Sequence, residues 1–215
     1  MQQTAHPTHE APQAGGADGW DGEVYTFPLS FAQQGLWLLS QLQRENPAYH
    51  IPNAYLLRGP LRVGPLRRSL DAIVARHEAL RTTFAVLDGE PVQVVAPERP
   101  CELRAVDLSA VAPERVDAEL RRAAREEVRR PFDLARGPLI RFALLRAAPE
   151  LHLLVCTAHH LVFDGWSERV FLGELTALYG AMAAGEEPDL PELEIQYGDY
   201  AHWERETLQG EELER

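Results

Sequence analysis

Helical and strand-like hydrophobic periods interleave along this chain. In PLRRSLDAIVARHEAL, Leu66, Leu70, Ile73, His77 and Leu80 recur at spacings of 4, 3, 4 and 3, one stripe of an amphipathic helix. At about 100° per residue, Arg76 sits on the flank of that stripe, where an arginine can reach a partly buried partner. Pro65 suits its first turn. SFAQ opens an earlier helix: Ser30 caps it and Gln33 reaches back, a capping box, with the helix running to Gln43 and closed by Asn46-Pro47. PERVDAELRRAAREEVRR is a charged helix from Pro113 to the break at Pro131. SERVFLGELTALYGAMAAG is another, with Phe171, Leu175, Leu178 and Met182 on one face and Gly185 as its stop. A last helix starts near Asp199 after a Pro-rich acidic link at 186–193.

Between the helices lie strand-like runs. NAYLLRG (53–59) and ELRAVDL (102–108) are two. TTFAVL and PVQVV flank Asp88-Gly89-Glu90, a strong hairpin signal. PLIRFALLR (138–146) and LHLLVCTA (151–158) are joined at Ala148-Pro149, and the second is nearly all apolar, as a strand buried on both faces should be. Order is expected to begin at Ser30. Residues 1–25, rich in Gly, Ala, Pro, Gln and His, read as a disordered leader in which His6 and His9 are bystanders, and 26–215 as one domain. The expected class is α/β (α+β): a mixed sheet with helices packed on it.

Composition narrows the function. The chain has 215 residues, 45% of them hydrophobic, and a net charge of −12. It has no lysine. An acidic chain without a dense basic cluster is not expected to bind nucleic acid; the pairs Arg67-Arg68, Arg121-Arg122 and Arg129-Arg130 alternate with acids and read as solvated helix faces. No apolar run approaches the roughly 20 residues of a membrane helix. The N-terminal segment has neither the basic nor the apolar part of a signal peptide. Cys101 and Cys156 match no metal or redox spacing, and the lack of a disulfide framework points to the cytoplasm.

The chemistry concentrates in TAHHLVFDGWS (157–167), at the junction of a buried strand and a helix, where side chains are held rigidly at an open edge. Neighbouring strand residues point to opposite faces, so His159 and His160 are badly placed to share a zinc ion. Ser167 lacks a nucleophile elbow and suits a helix cap. One histidine facing a cavity can act as a general base or position an amine or hydroxyl, while the other faces the interior. Gly165 permits close backbone approach, and its N–H lies at a helix start that favours developing negative charge. Packing or capping alone would also account for both histidines.

Four stretches together resemble the condensation domain of nonribosomal peptide synthetases, a branch of the chloramphenicol acetyltransferase-like superfamily. They are LSFAQQGLWLL (29–39), RHEALRTTF (76–84), HHLVFDGWS (159–167) and YGDYAHW (197–203), in the family's order. The resemblance spans residues 26–208. It implies one half of a pseudo-dimeric acyltransferase that joins a donor thioester to an acceptor amine, each carried on the phosphopantetheine of a peptidyl carrier protein, with no cofactor or metal bound by the chain itself. By the family's pattern His160 faces substrate. His159, Asp164, Trp166 and Ser167 support the motif, and Asp164 pairs with Arg76 of the second motif, Arg81 being that motif's other arginine. Gly35 departs from the larger residue usual in the first motif. The resemblance also implies that the C-terminal subdomain is absent and that an adenylation domain lies downstream. The DxxxxD pattern of heterocyclising relatives is missing. Two other functions compete: a stand-alone acyltransferase making esters, and a non-catalytic fragment that only docks a carrier protein.

Overall fold

In the computed structural model, described for residues 24–42, 46–98 and 100–208, the elements run β1 (Tyr25–Pro28), α1 (Phe31–Leu42), β2 (His50–Arg58), α2 (Val63–Arg76), β3 (Thr82–Leu87), β4 (Glu90–Val95), β5 (Leu103–Asp107), α3 (Pro113–Arg129), β6 (Ile140–Ala148), β7 (Leu151–His159), α4 (Gly165–Ala184) and α5 (Tyr197–Thr207). The end of the first helix expected at Gln43, most of the expected leader, and His6 and His9 lie outside the described residues.

The main sheet has strand order β2-β7-β6-β5 and is mixed, since β5 pairs with β6 in parallel and the other pairs are antiparallel. β7 explains its own apolar composition. Leu154, Cys156 and Ala158 pack into the cluster shared with α2 and α4, while Val155 packs into the one shared with α3. Both faces of the strand are covered, so the period of two brings no polar residue to a wet side.

One sheet was expected, and the described residues form two. The β3–β4 hairpin turns at Asp88 and Gly89, both at positive φ (52° and 89°), the geometry an Asp-Gly turn supplies. It pairs not with the main sheet but with β1, in the order β1-β4-β3. A strand at Tyr25–Pro28 therefore precedes Ser30, where order was expected to begin. The strand YTFP is four residues long and is held by long-range pairing, Tyr25 opposite Val95, which no local period reveals. α5 lies close against it: a Cβ on Gly198 would sit 2.7 Å from the Phe27 ring.

The capping box of α1 is formed, with Gln33 N to Ser30 Oγ and Ser30 N to Gln33 Oε1 both at 3.1 Å. Glu204 of α5 adds a carboxylate to the same end, accepting Phe31 N at 2.8 Å, where the helix N-terminus favours negative charge. At Gly35 an added Cβ would meet nothing within 4 Å, so no packing demand explains the glycine. In α2, Leu66, Leu70 and Ile73 are buried as the stripe requires. The helix stops at Arg76, however, and Leu80 belongs to a following 3-10 turn, Glu78–Arg81. Leu80 stays buried because the tighter turn carries it under the core on the way into β3. α3 ends before Pro131, which lacks an N–H and disfavours helix in the residue before it.

Candidate active site

The β7–α4 junction separates the two histidines as the strand period requires. His159 continues the α3-facing row of β7. It is 5% exposed and stands among rings, with Phe132 at 6.1 Å and His50 at 6.3 Å between centroids. Its Nδ1 accepts the Leu161 N–H at 3.2 Å, which fixes the neutral tautomer with the hydrogen on Nε2. Burial, reinforced by His50 and His160, pushes its pKa down to about 4. His159 opens onto a cavity of about 520 Å³ together with Trp37, His50 and Phe132.

His160 faces the other way. It lines a separate cavity of about 400 Å³. Its Nδ1 lies 3.1 Å from the Phe163 carbonyl oxygen, which can only accept. Nδ1 therefore carries the hydrogen, and Nε2 keeps a lone pair able to take a proton or hold an amine. The floor beneath is polar and buried: Gln33 Nε2 donates to the Leu161 carbonyl and to Gln93 Oε1, both at 3.0 Å, and Gln93 donates to Pro28 O at 2.9 Å. Gln33 was expected only as a capping residue, and nothing local pointed to Gln93.

Asp164 does not pair with Arg76. Its carboxylate is the N-cap of α4 and accepts Trp166 N at 3.0 Å, Ser167 N at 2.8 Å and Ser167 Oγ at 2.7 Å. The cap expected of Ser167 thus belongs to Asp164, with the Ser167 hydroxyl bonded to the capping group. Partial burial works to raise the Asp164 pKa, but the Ser167 amide and hydroxyl and the Trp166 amide outweigh it and hold the carboxyl below its usual range. Gly165 is the first residue of α4, so its N–H is among those left without an intrahelical acceptor. A Cβ there would meet no protein atom within 4 Å. Trp166 is 72% exposed beside the cavity.

Arg76 reaches a partly buried partner, as its flank position predicted, but the partner is Glu174 in the middle of α4. Glu174 takes Arg76 Nε at 3.1 Å through one oxygen and His77 Nε2 at 2.7 Å through the other. Arg76 also donates to the Pro191 carbonyl. Gln196 bridges the same turn, donating to the Arg76 carbonyl at 3.0 Å and accepting Glu78 N at 3.1 Å. Arg81 lies elsewhere, bonded to Glu78 at 3.2 Å and to the Ala96 carbonyl, where it joins the turn to the end of β4. The local signal for Glu174 is weak: it is the one acid inside the apolar run FLGELTAL.

Residues from all four sequence motifs line the His160 cavity: Gln33 and Leu36, His77 and Leu80, His160 and Asp164, and Tyr197.

The model of the condensation-domain family matches residues 24–215. The chain is 48% identical over 188 residues to a linear gramicidin synthase of Brevibacillus parabrevis, covering 87% of this chain and 2% of that protein. It is 42% identical over 193 residues to a phosphinothricin tripeptide synthetase of Streptomyces viridochromogenes, covering 90% and 18%. Among solved structures it superposes on the X-domain from teicoplanin biosynthesis with a TM-score of 0.76 at 34% identity, covering 86% of this chain and 39% of that one. The starter condensation domain of rhizomide synthetase gives 0.78 at 22% identity, covering 87% and 45%, a likeness of fold. The chain spans under half of these solved domains and a small part of the synthetases. Among the described residues no helix is long and apolar enough to cross a membrane.

Proposed function

Given that the chain belongs to the condensation-domain family, we propose that it is the N-terminal, motif-bearing half of a domain that forms an amide between two carrier-bound substrates. The observation that carries this reading is the convergence of the four motifs on the single cavity that holds His160. A motif kept for packing alone has no reason to share a solvent-reaching wall with the others.

In this reading a donor acyl thioester and an acceptor aminoacyl thioester enter on phosphopantetheine arms of two peptidyl carrier proteins. The acceptor nitrogen attacks the donor carbonyl carbon, and the C–S bond breaks. The free Nε2 of His160 receives the amine proton or holds the amine for attack, and the proton leaves with the thiolate. The Gly165 N–H stands at the positive end of α4, which favours negative charge developing nearby. Asp164, Ser167 and His159 act by holding the loop rather than by touching substrate. The chain binds no cofactor of its own. Its remaining partners are the second half of the condensation domain and an adenylation domain, in the cytoplasm.

The test is single-turnover transfer in the full-length protein between two loaded carrier proteins. His160→Ala should lower the amide-forming rate by about 10²- to 10⁴-fold while the protein stays folded. An unchanged rate overturns the role of His160, and a wild-type protein that transfers to a hydroxyl but not to an amine overturns the amide reading.

A further inference from the structure

Two tyrosines of α5 stand side by side with ring centroids 5.6 Å apart, and they use their hydroxyls differently. Tyr200 donates its hydrogen to Glu204 at 2.9 Å. Tyr197 lies 2.9 Å from Ser30 Oγ, and the environment of Ser30 decides which of the two donates. Ser30 is completely buried. Its oxygen already accepts Gln33 N, and among the described residues Tyr197 is the acceptor within reach of its hydrogen. A buried hydroxyl hydrogen left without an acceptor carries a large penalty, so Ser30 donates and Tyr197 accepts. Among the described residues the hydrogen of Tyr197 is then unspent, and Tyr197 lines the same cavity as His160.

We propose that Tyr197 is a second catalytic residue of this cavity, its O–H donating a hydrogen bond to the acyl carbonyl oxygen as negative charge develops there. The inference rests on the amide-forming reading. As the amine nitrogen bonds to the carbonyl carbon, the C=O π pair moves onto oxygen. Tyr197 stabilises that oxyanion without giving up its proton. When the C–S bond breaks, the pair returns to rebuild C=O, and the amine proton travels by way of His160 to the thiolate. Tyr197 thus supplies a donor from α5 to the cavity that holds His160. Such donors stabilise most when fixed in advance and shielded from water, and the Ser30 bond fixes this one. Burial raises the Tyr197 pKa and outweighs the opposite effect of the Ser30 bond, and the Glu204 and Asp164 carboxylates add smaller upward effects; the phenol therefore stays protonated through the neutral range.

The experiment uses the full-length protein with both substrates loaded on carrier proteins. Tyr197→Phe keeps the ring and removes the hydroxyl. It should lower kcat by about 10²-fold and leave the KM of either loaded carrier protein unchanged. A fluorinated tyrosine at the same position keeps ring and hydroxyl and makes only the phenol more acidic. It should move the alkaline loss of kcat to lower pH. Wild-type kcat in Tyr197→Phe, or a loss confined to KM, overturns the inference while leaving the amide reading intact. If Tyr197→Phe does not fold, the fluorinated variant decides: an unmoved alkaline limb overturns the role. A wild-type protein that forms no amide removes both.

Discussion

Asp164 accepts both the amide and the hydroxyl of Ser167 through one oxygen, at 2.8 and 2.7 Å. That oxygen also takes the Trp166 amide, so the motif aspartate holds the first turn of α4 and with it the loop that carries His160. Asp164→Ala should destabilise the fold by about 0.5–2 kcal/mol, the usual effect of losing an N-cap, and Asp164→Asn should restore most of it. The depressed carboxyl pKa sets the pH window. Below the folded pKa the carboxyl is protonated in both states. The contribution is therefore present above the unfolded pKa of about 3.9 and fades as pH falls through the folded one. Urea midpoints of the two variants at neutral pH test the cap; equal midpoints for wild type and Asp164→Ala would rule it out.

The partner of Arg76 makes a separate prediction. Arg76 and Glu174 are both mostly buried, with side chains 19% and 13% exposed, and Glu174 also holds His77. Removing either member of the ion pair strands the other. The double variant Arg76→Ala with Glu174→Ala should then cost less than the sum of the singles, with a coupling of about 0.5–3 kcal/mol. Arg76→Ala combined with Asp164→Ala should add to within about 0.5 kcal/mol. A coupling to Asp164 as large as that to Glu174 would reverse the assignment.

The same arginine shows what was legible in the sequence. Its flank position on α2 followed from a 100° rotation per residue, and a partly buried acid was the right kind of partner. The identity of that acid was not local information. Asp164 and Glu174 are ten residues apart, about 15 Å along α4. Which one meets the end of α2 depends on how far the two helices are offset when packed, and the family resemblance pointed to the wrong end. The split of His159 and His160 was legible because it needs only the alternation of a strand. The four-residue β1 was not, because a short edge strand ending in proline has little period of its own and is held by β4, some 65 positions on. Tyr197 was inside a recognised motif, but its free hydrogen follows from the burial of Ser30, 167 residues away.

His159 makes the fold sensitive to acid. Its ring is neutral, with Nδ1 occupied by the Leu161 N–H, and protonation would break that bond and place a charge beside His50 and Phe132. The folded pKa is about 4, against about 6.5 for an unfolded histidine. Between those values the unfolded chain binds more protons than the folded one, so stability rises with pH across the interval. It is complete above about pH 6.5, declines as pH falls towards 4, and levels off below, with a total loss of about 3 kcal/mol. His50 acts in the same direction: burial lowers its pKa, aided by Arg141 and opposed by its 2.7 Å hydrogen bond to the Val128 carbonyl. Urea unfolding of the chain at a series of pH values between 7 and 4 gives the slope. His159→Gln keeps a hydrogen-bond acceptor and cannot titrate, so its curve should be flatter than that of the wild type, with the residual slope belonging to His50 and the carboxylates. Identical slopes in the two proteins would mean that His159 is not the group that titrates on unfolding.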